Sequence, residues 1–294
     1  MIVSVSRRCD IPRFAFDWFL ERLDAGFAEI KNPFNPHQIR RVSLLSPSSE
    51  RTPEELKTEG RAEVFAFWTR DPASILKHAE RLEEQGYGFF VMTTLNSYPA
   101  LLEPNVPPPE EVAQTMRGLA QKTSRERVIW RYDPVLLSSQ TDFEFHRRNF
   151  SALAARFNGA VSRVIVSVYD EYPRAEKRLA ALEQNGSLKR QAHYQSGPEG
   201  KKRLLPAVRD LLAELARIAR REGMEIQSCA EEDLADCFQP GACIDGEYIS
   251  KLFGIKVPGK DRNQRPGCLC AQSVDIGTYG SCPAGCVYCY ADRS

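Results

Sequence analysis

"VSRVIVSVY" (161–169) holds an almost unbroken run of β-branched and aromatic residues at strand length, and it decides the fold. A strand with one face in water alternates apolar and polar side chains; a run without alternation belongs to a strand covered on both faces, as in parallel sheets flanked by helices. Working outward, the same texture recurs in "IVSVS" (2–6), "RRVSLLS" (40–46), "EVFAFWT" (63–69), "YGFFVMTTL" (87–95), "RVIWRY" (127–132) and "MEIQSC" (224–229). Helical stripes lie between most of them, in 13–27, 72–86, 109–123, 142–157 and 203–222. In the last stripe Leu204, Val208, Leu211, Leu212, Leu215 and Ile218 recur at three- and four-residue spacing before Gly223, a natural helix stop.

About seven alternations of strand and helix predict parallel strands joined by crossover helices, closing toward a TIM-barrel-like α/β fold. Only polar, turn-like sequence links 40–46 to 63–69, so the expected barrel is distorted or incomplete. Two regions are expected: an α/β domain over 1–228, and a Cys-rich metal-binding extension over 229–294 that packs on the barrel's C-terminal face. The polar stretch 184–203 is expected to be a surface excursion or a lid.

Composition narrows the function classes. Of 294 residues, 42% are hydrophobic and 27% charged, which suits a globular chain. Forty basic and 39 acidic residues leave a net charge of +1, so a nucleic-acid partner would need a local basic patch. No stretch reads as a leader or membrane span, and cytoplasmic localisation is expected. Eight of the nine cysteines follow residue 228, and in a reducing compartment clustered thiols point to metal or redox chemistry.

The last of these form "SCPAGCVYC" (281–289), in which Cys282, Cys286 and Cys289 have C-x3-C-x2-C spacing. Three thiols with no local fourth can hold a [4Fe–4S] cube and leave one iron open, whereas structural zinc sites close with four protein ligands. Cys229, Cys243, Cys268 and Cys270 could form a second site for zinc or another [4Fe–4S] cluster, or one of the last two could complete the first. Cys9 and Cys237 read as free thiols.

At the expected strand ends, Arg8, Asp10, Arg131, Asp133, Asp170 and Glu231 are candidate catalytic residues, because guanidinium beside carboxylate suits a small anionic substrate. Arg–Asp pairs there also serve to satisfy loop backbone. His37, His78, His146 and His193 are scattered without metal-ligand spacing, and solvent exposure is expected for most. Trp68 and Trp130 read as core, and 256–267 as a basic solvated loop. No phosphate-binding glycine loop or Ser-His-Asp pattern is present.

Two resemblances add to this. "YGSCPAGCVYCYA" (279–291) is similar to the cluster loop of radical S-adenosylmethionine enzymes of the spore photoproduct lyase type. That likeness implies Cys282, Cys286 and Cys289 as cluster ligands, Tyr288 beside bound S-adenosylmethionine, and a reductant such as flavodoxin or ferredoxin; in those enzymes, however, the loop precedes the barrel. "SRRCDIP" (6–12), "FWTRDP" (67–72), "WRYDP" (130–134), "QRPGCLC" (264–270) and "DIGTYGSCPAGCVYCYA" (275–291) resemble a bacterial family, domain of unknown function DUF1848. This second resemblance implies thiols at Cys229, Cys243, Cys268 and Cys270 besides the terminal three, and no particular reaction. A zinc-stabilised binding or hydrolytic protein and an electron-transfer protein are the competing expectations.

Overall fold

The computed structural model describes residues 1–292 apart from 33, 34, 36, 198–201, 230–233, 235–237 and 266. Along the chain run β1 (Ile2–Val5), α1 (Ile11–Phe14), α2 (Phe16–Ala25), β2 (Phe27–Lys31), β3 (Ile39–Ser43), β4 (Val64–Thr69), α3 (Ala73–Glu84), β5 (Gly88–Thr94) and α4 (Pro109–Lys122). They are followed by β6 (Val128–Val135), α5 (Phe143–Phe157), β7 (Arg163–Val168), α6 (Pro173–Gln184), β8 (Tyr194–Ser196), β9 (Lys202–Leu204) and α7 (Pro206–Arg221). The last elements are β10 (Glu225–Cys229), β11 (Pro240–Gly241), α8 (Gly246–Phe253) and β12 (Val274–Asp275).

Eight strands form one sheet in the order β11-β10-β7-β6-β5-β4-β1-β12, and every pairing in it is parallel. From β1 to β11 the chain adds each sheet strand beside the previous one. The result is a curled half-barrel: β11 and β12 are its edges, and among the described residues no pairing joins them.

Alternate residues of each strand serve opposite faces. Phe65, Phe67, Phe89, Val91, Trp130 and Val164 face the helical layer, in which α3 packs on α4, α4 on α5 and α5 on α7. Val64, Ala66, Phe90, Met92, Ile129 and Ile165 face the concave side, where they meet Ala242, Ile244, Ile249 and Ala271 from the tail. The expectation of a tail held by metal more than by apolar packing is therefore corrected. Its side chains fill the concave face, and each buried Ile contributes about 1.5–3 kcal/mol to that docking.

The expected parallel strand 40–46 is a second correction. Residues 39–43 pair antiparallel with 27–31, outside the main sheet. A parallel neighbour needs a crossover of a dozen or more residues, usually helical, and 46–63 contains no helix. Gly26 instead ends α2 in the left-handed conformation, at φ 84°, and turns the chain into the hairpin. The stretch 184–203 contributes to another small hairpin, β8 against β9.

Candidate functional site

A cavity of about 470 Å³ opens where the parallel strands end. Arg8, Asp10, Arg131, Asp133 and Asp170 all line it, together with Tyr288 and all seven thiols that the sequence singles out. Glu231 and Cys237 lie outside the described residues. Five arginines and four aspartates of the lining (Arg7, Arg8, Arg70, Arg131, Arg265; Asp10, Asp133, Asp170, Asp275) give it a mixed but slightly cationic rim.

Several of these groups are committed to structure. Asp10 caps α1: its Oδ1 accepts from Arg13 N at 3.1 Å and Thr69 Oγ1 at 2.7 Å, and its Oδ2 from Arg70 N at 2.8 Å. Burial outweighs those bonds and pushes its pKa up to about 6. Asp170 pairs with Arg265 at the half-exposed rim, a bond of small energetic weight. Asp133 pairs with Arg131 and accepts from Ser167 Oγ.

Arg131, besides its pairing with Asp133, keeps one donor unused. Its guanidinium lies 4.6 Å over the Trp68 ring, and among the described residues both Arg131 Nε and Trp68 Nε1 are buried donors without a partner. Buried donors left unpaired are costly, and in a cavity they mark where a ligand's oxygens can sit.

The terminal loop is held from below by a network that no motif announces. Tyr288 Oη donates to Glu103 Oε1 and accepts from Arg70 Nη2 at 2.5 Å and Asn96 Nδ2 at 2.9 Å. Arg70 Nη1 donates to Glu103 Oε1 at 2.9 Å, and this carboxylate is 1% exposed. Tyr288 also stacks edge-on against Tyr98, at 5.8 Å between centroids. From α6, Arg178 Nε donates to Val287 O at 3.0 Å and Nη2 to Cys289 O at 2.5 Å. Burial raises the Cys282 thiol's pKa and carries that of Cys286 to about 11.

Asp275 anchors the other side of the rim. Its Oδ2 accepts from Ser4 Oγ and Arg7 N, both at 2.8 Å; its Oδ1 accepts from Ser6 Oγ at 2.6 Å and Gly277 N at 2.9 Å. Arg7 and Arg8 lie within 3.8 Å of it. Gly277 is obligatory here, since a Cβ would come within 2.5 Å of Ser6 Cβ and 2.8 Å of Cys9 Sγ.

Of the remaining thiols, Cys243 Sγ donates to Cys229 Sγ at 3.5 Å, and Cys268 and Cys270 are buried in the same apolar cluster as Cys243. Among the described residues no three His, Cys, Asp or Glu side chains converge in metal-holding geometry. The thiols are grouped by the fold without being closed around a point.

Histidine behaves differently from the expectation. His146 and His193 are buried, because α5 and the turn before β8 pack them under the loop after β6. No helix among the described residues is long and apolar enough to cross a membrane.

Half-barrel and thiol-lined cavity together define a parallel α/β protein whose concave face is filled by its own C-terminal segment. The chain belongs to the family described as domain of unknown function (DUF1848), whose model matches residues 2–291. No curated protein matches it.

Proposed function

We propose that this chain is an iron–sulfur enzyme on a TIM-barrel-like scaffold, with Cys282, Cys286 and Cys289 as ligands of a [4Fe–4S] cluster. The observation that carries the proposal is the anchoring of the thiol loop at the strand ends, where Tyr288 is locked beneath it and the cavity lies in front. Three thiolates leave one iron of a cube for a small molecule. The placement of Cys268 and Cys270 in the apolar cluster of the concave face with Cys243, apart from the cluster that holds Cys286 and Tyr288, supports that vacancy.

When bound, such a cluster with S-adenosylmethionine supplies one-electron chemistry, and the protein supplies placement. Arg131, stacked on Trp68 with Nε free, suits a carboxylate or phosphate of a small anionic substrate. Arg8 lines the same cavity and adds positive charge. Tyr288 has its proton committed to Glu103, which makes it a positioning residue and not an acid. A flavodoxin or ferredoxin would deliver the electron in the cytoplasm.

The test is anaerobic reconstitution followed by electron paramagnetic resonance of the reduced protein, with and without S-adenosylmethionine. A cluster signal that changes on addition, and is lost in Cys286→Ala, is expected. A signal indifferent to the addition removes the radical chemistry and leaves an electron-transfer protein. Failure to bind iron removes the cluster altogether.

A further inference from the structure

Four thiols stand apart from the terminal loop: Cys229 at the end of β10, Cys243 after β11, and Cys268 with Cys270 in the segment between α8 and β12. Cys268 and Cys270 are distant in sequence from the other two, and the fold gathers all four at one cavity. Cys243 Sγ lies 3.5 Å from Cys229 Sγ. Cys243, Cys268 and Cys270 are buried within the apolar cluster of the concave face, with Cys229 packed against it.

Sulfur spacing separates the metals that four thiols can hold. Four ligands at about 2.3 Å around one tetrahedral ion put their sulfurs about 3.8 Å apart. In a [4Fe–4S] cube each thiolate caps a different iron, so the sulfurs stand much farther apart and cannot be in contact. The 3.5 Å approach of Cys229 and Cys243 therefore matches one ion and not a cube. A disulfide would hold its sulfurs at about 2 Å, whereas Cys229 and Cys243 stand 3.5 Å apart as free thiols.

The surroundings carry the signature as well. Ile244 N donates to Cys270 Sγ at 3.5 Å, and the backbone N–H of Cys270 serves Cys268; such N–H donors orient thiolate ligands. Four thiolates around Zn²⁺ leave a charge of −2, the thiol protons going to solvent. Arg131 and Arg265, each also paired with a carboxylate, are the cations nearest the thiols: both act on Cys229 and Arg131 also on Cys243.

We propose that Cys229, Cys243, Cys268 and Cys270 form a closed structural site for a single Zn²⁺, which ties β10, β11 and the 268–270 segment together as the floor of the cavity. This site is independent of the proposed cluster. Among the described residues the four thiols do not converge on one point, so binding would draw them together.

The test uses the full chain carrying Cys282→Ala, Cys286→Ala and Cys289→Ala, purified in reducing buffer without chelator. Elemental analysis should give one zinc per chain and no iron, and cobalt(II) exchanged into the site should show the intense visible bands of a tetrahedral tetrathiolate. Adding Cys243→Ser or Cys270→Ser should lower zinc to background. Should those variants misfold, zinc and thiol counts on the parent chain still decide. Iron with sulfide in that background, four freely titrating thiols without metal, or a mass two hydrogens lighter from a Cys229–Cys243 disulfide would each overturn the proposal. Loss of the cluster in the wild-type chain would not touch it.

Discussion

Replacing Glu103 by glutamine removes one charge from the network beneath the thiol loop and changes little else. The Arg70–Glu103 pair stands at 2.9 Å with side chains 11% and 1% exposed. At an effective dielectric of about 20, unit charges at that distance attract by about 6 kcal/mol. Part of this is returned when the carboxylate no longer has to be desolvated, and breaking one side of a buried pair costs about 3–5 kcal/mol net. Glutamine cannot avoid the loss by flipping. Its amide nitrogen must face either Tyr98 N–H, which now donates to Oε2 at 3.2 Å, or the Arg70 and Asn96 donors that now meet at Oε1. Tyr288→Phe keeps the ion pair and deletes only the hydroxyl, for about 1.5–3 kcal/mol. Urea unfolding followed by tryptophan fluorescence and circular dichroism should rank Glu103→Gln below Tyr288→Phe, and thermal unfolding should put its Tm about 5–8 °C below wild type. A loss under about 1 kcal/mol for Glu103→Gln would refute the argument, because a buried arginine without its partner cannot be that cheap.

Asp275→Asn should free the β12 edge: each carboxylate oxygen accepts two donors, one of them a fixed backbone N–H, so the amide nitrogen opposes one wherever it points. Faster hydrogen exchange at Ile276 N, bonded to Ser4 O, together with a loss of about 3 kcal/mol, is the expected result. Gly277→Ala should cost about 1–3 kcal/mol or more through the collision with Ser6, measured by thermal unfolding. Acid should destabilise the fold through two histidines. His146 shares Nδ1 with Tyr132 Oη at 2.8 Å and Nε2 with Leu136 O at 3.2 Å, while His193 Nε2 accepts from Leu137 N at 2.8 Å. Burial lowers both pKa values from 6.5 to about 4, so the folded state binds fewer protons than the unfolded one between those values. Their contribution is full above about 6.5 and falls by about 3 kcal/mol per histidine as pH drops through 4, while Asp10, raised from 3.8 to about 6, acts in the opposite sense over that window and offsets about one of them. His193→Gln, which keeps an acceptor for Leu137, should remove half of the histidine contribution; an unchanged profile would contradict the assignment.

What was legible in the sequence follows what has a period. β4 and β7 are buried on both faces along their whole length, and a continuous apolar run is the direct imprint of that. β11 and β12 contain two residues each, too few for any pattern, yet they form both edges of the sheet. The hairpin of 27–43 is only partly legible: 40–46 carries strand texture that reads as parallel, while 28–31 shows no pattern and Gly26 alone separates α2 from β2. Thiol spacing announced the terminal trio; only topology brings Cys229, Cys243, Cys268 and Cys270 together. Arg265, in a loop expected to be solvated first, reaches Asp170 and Cys229 O. Asn96, Glu103 and Asp275 belong to no recognisable chemistry. Their role comes from being buried where three loops meet, which no single stretch of chain encodes.

Tyr288 meets Glu103 across 185 positions, Asp275 meets Ser4 across 271 and Tyr290 meets Arg7 across 283, so the contacts that close the cavity are among the most distant in sequence. Loop-closure entropy grows only slowly with length, but the partners must already be in place: Leu102 O receives Val287 N, and Arg178 is presented by α6. The terminal segment therefore docks on a sheet whose outer face is already packed, and it has few apolar contacts besides Ala284 and the buried faces of Cys286 and Tyr288. A ligand that bridges the thiols binds the docked state and not the undocked one, and by mass action it stabilises the closed rim while leaving the helix-covered face unaffected. Hydrogen exchange should then show protection rising at 279–291 on metal binding and staying constant in α3, α4 and α5, which would distinguish a rim closed by its ligand from one closed by packing alone.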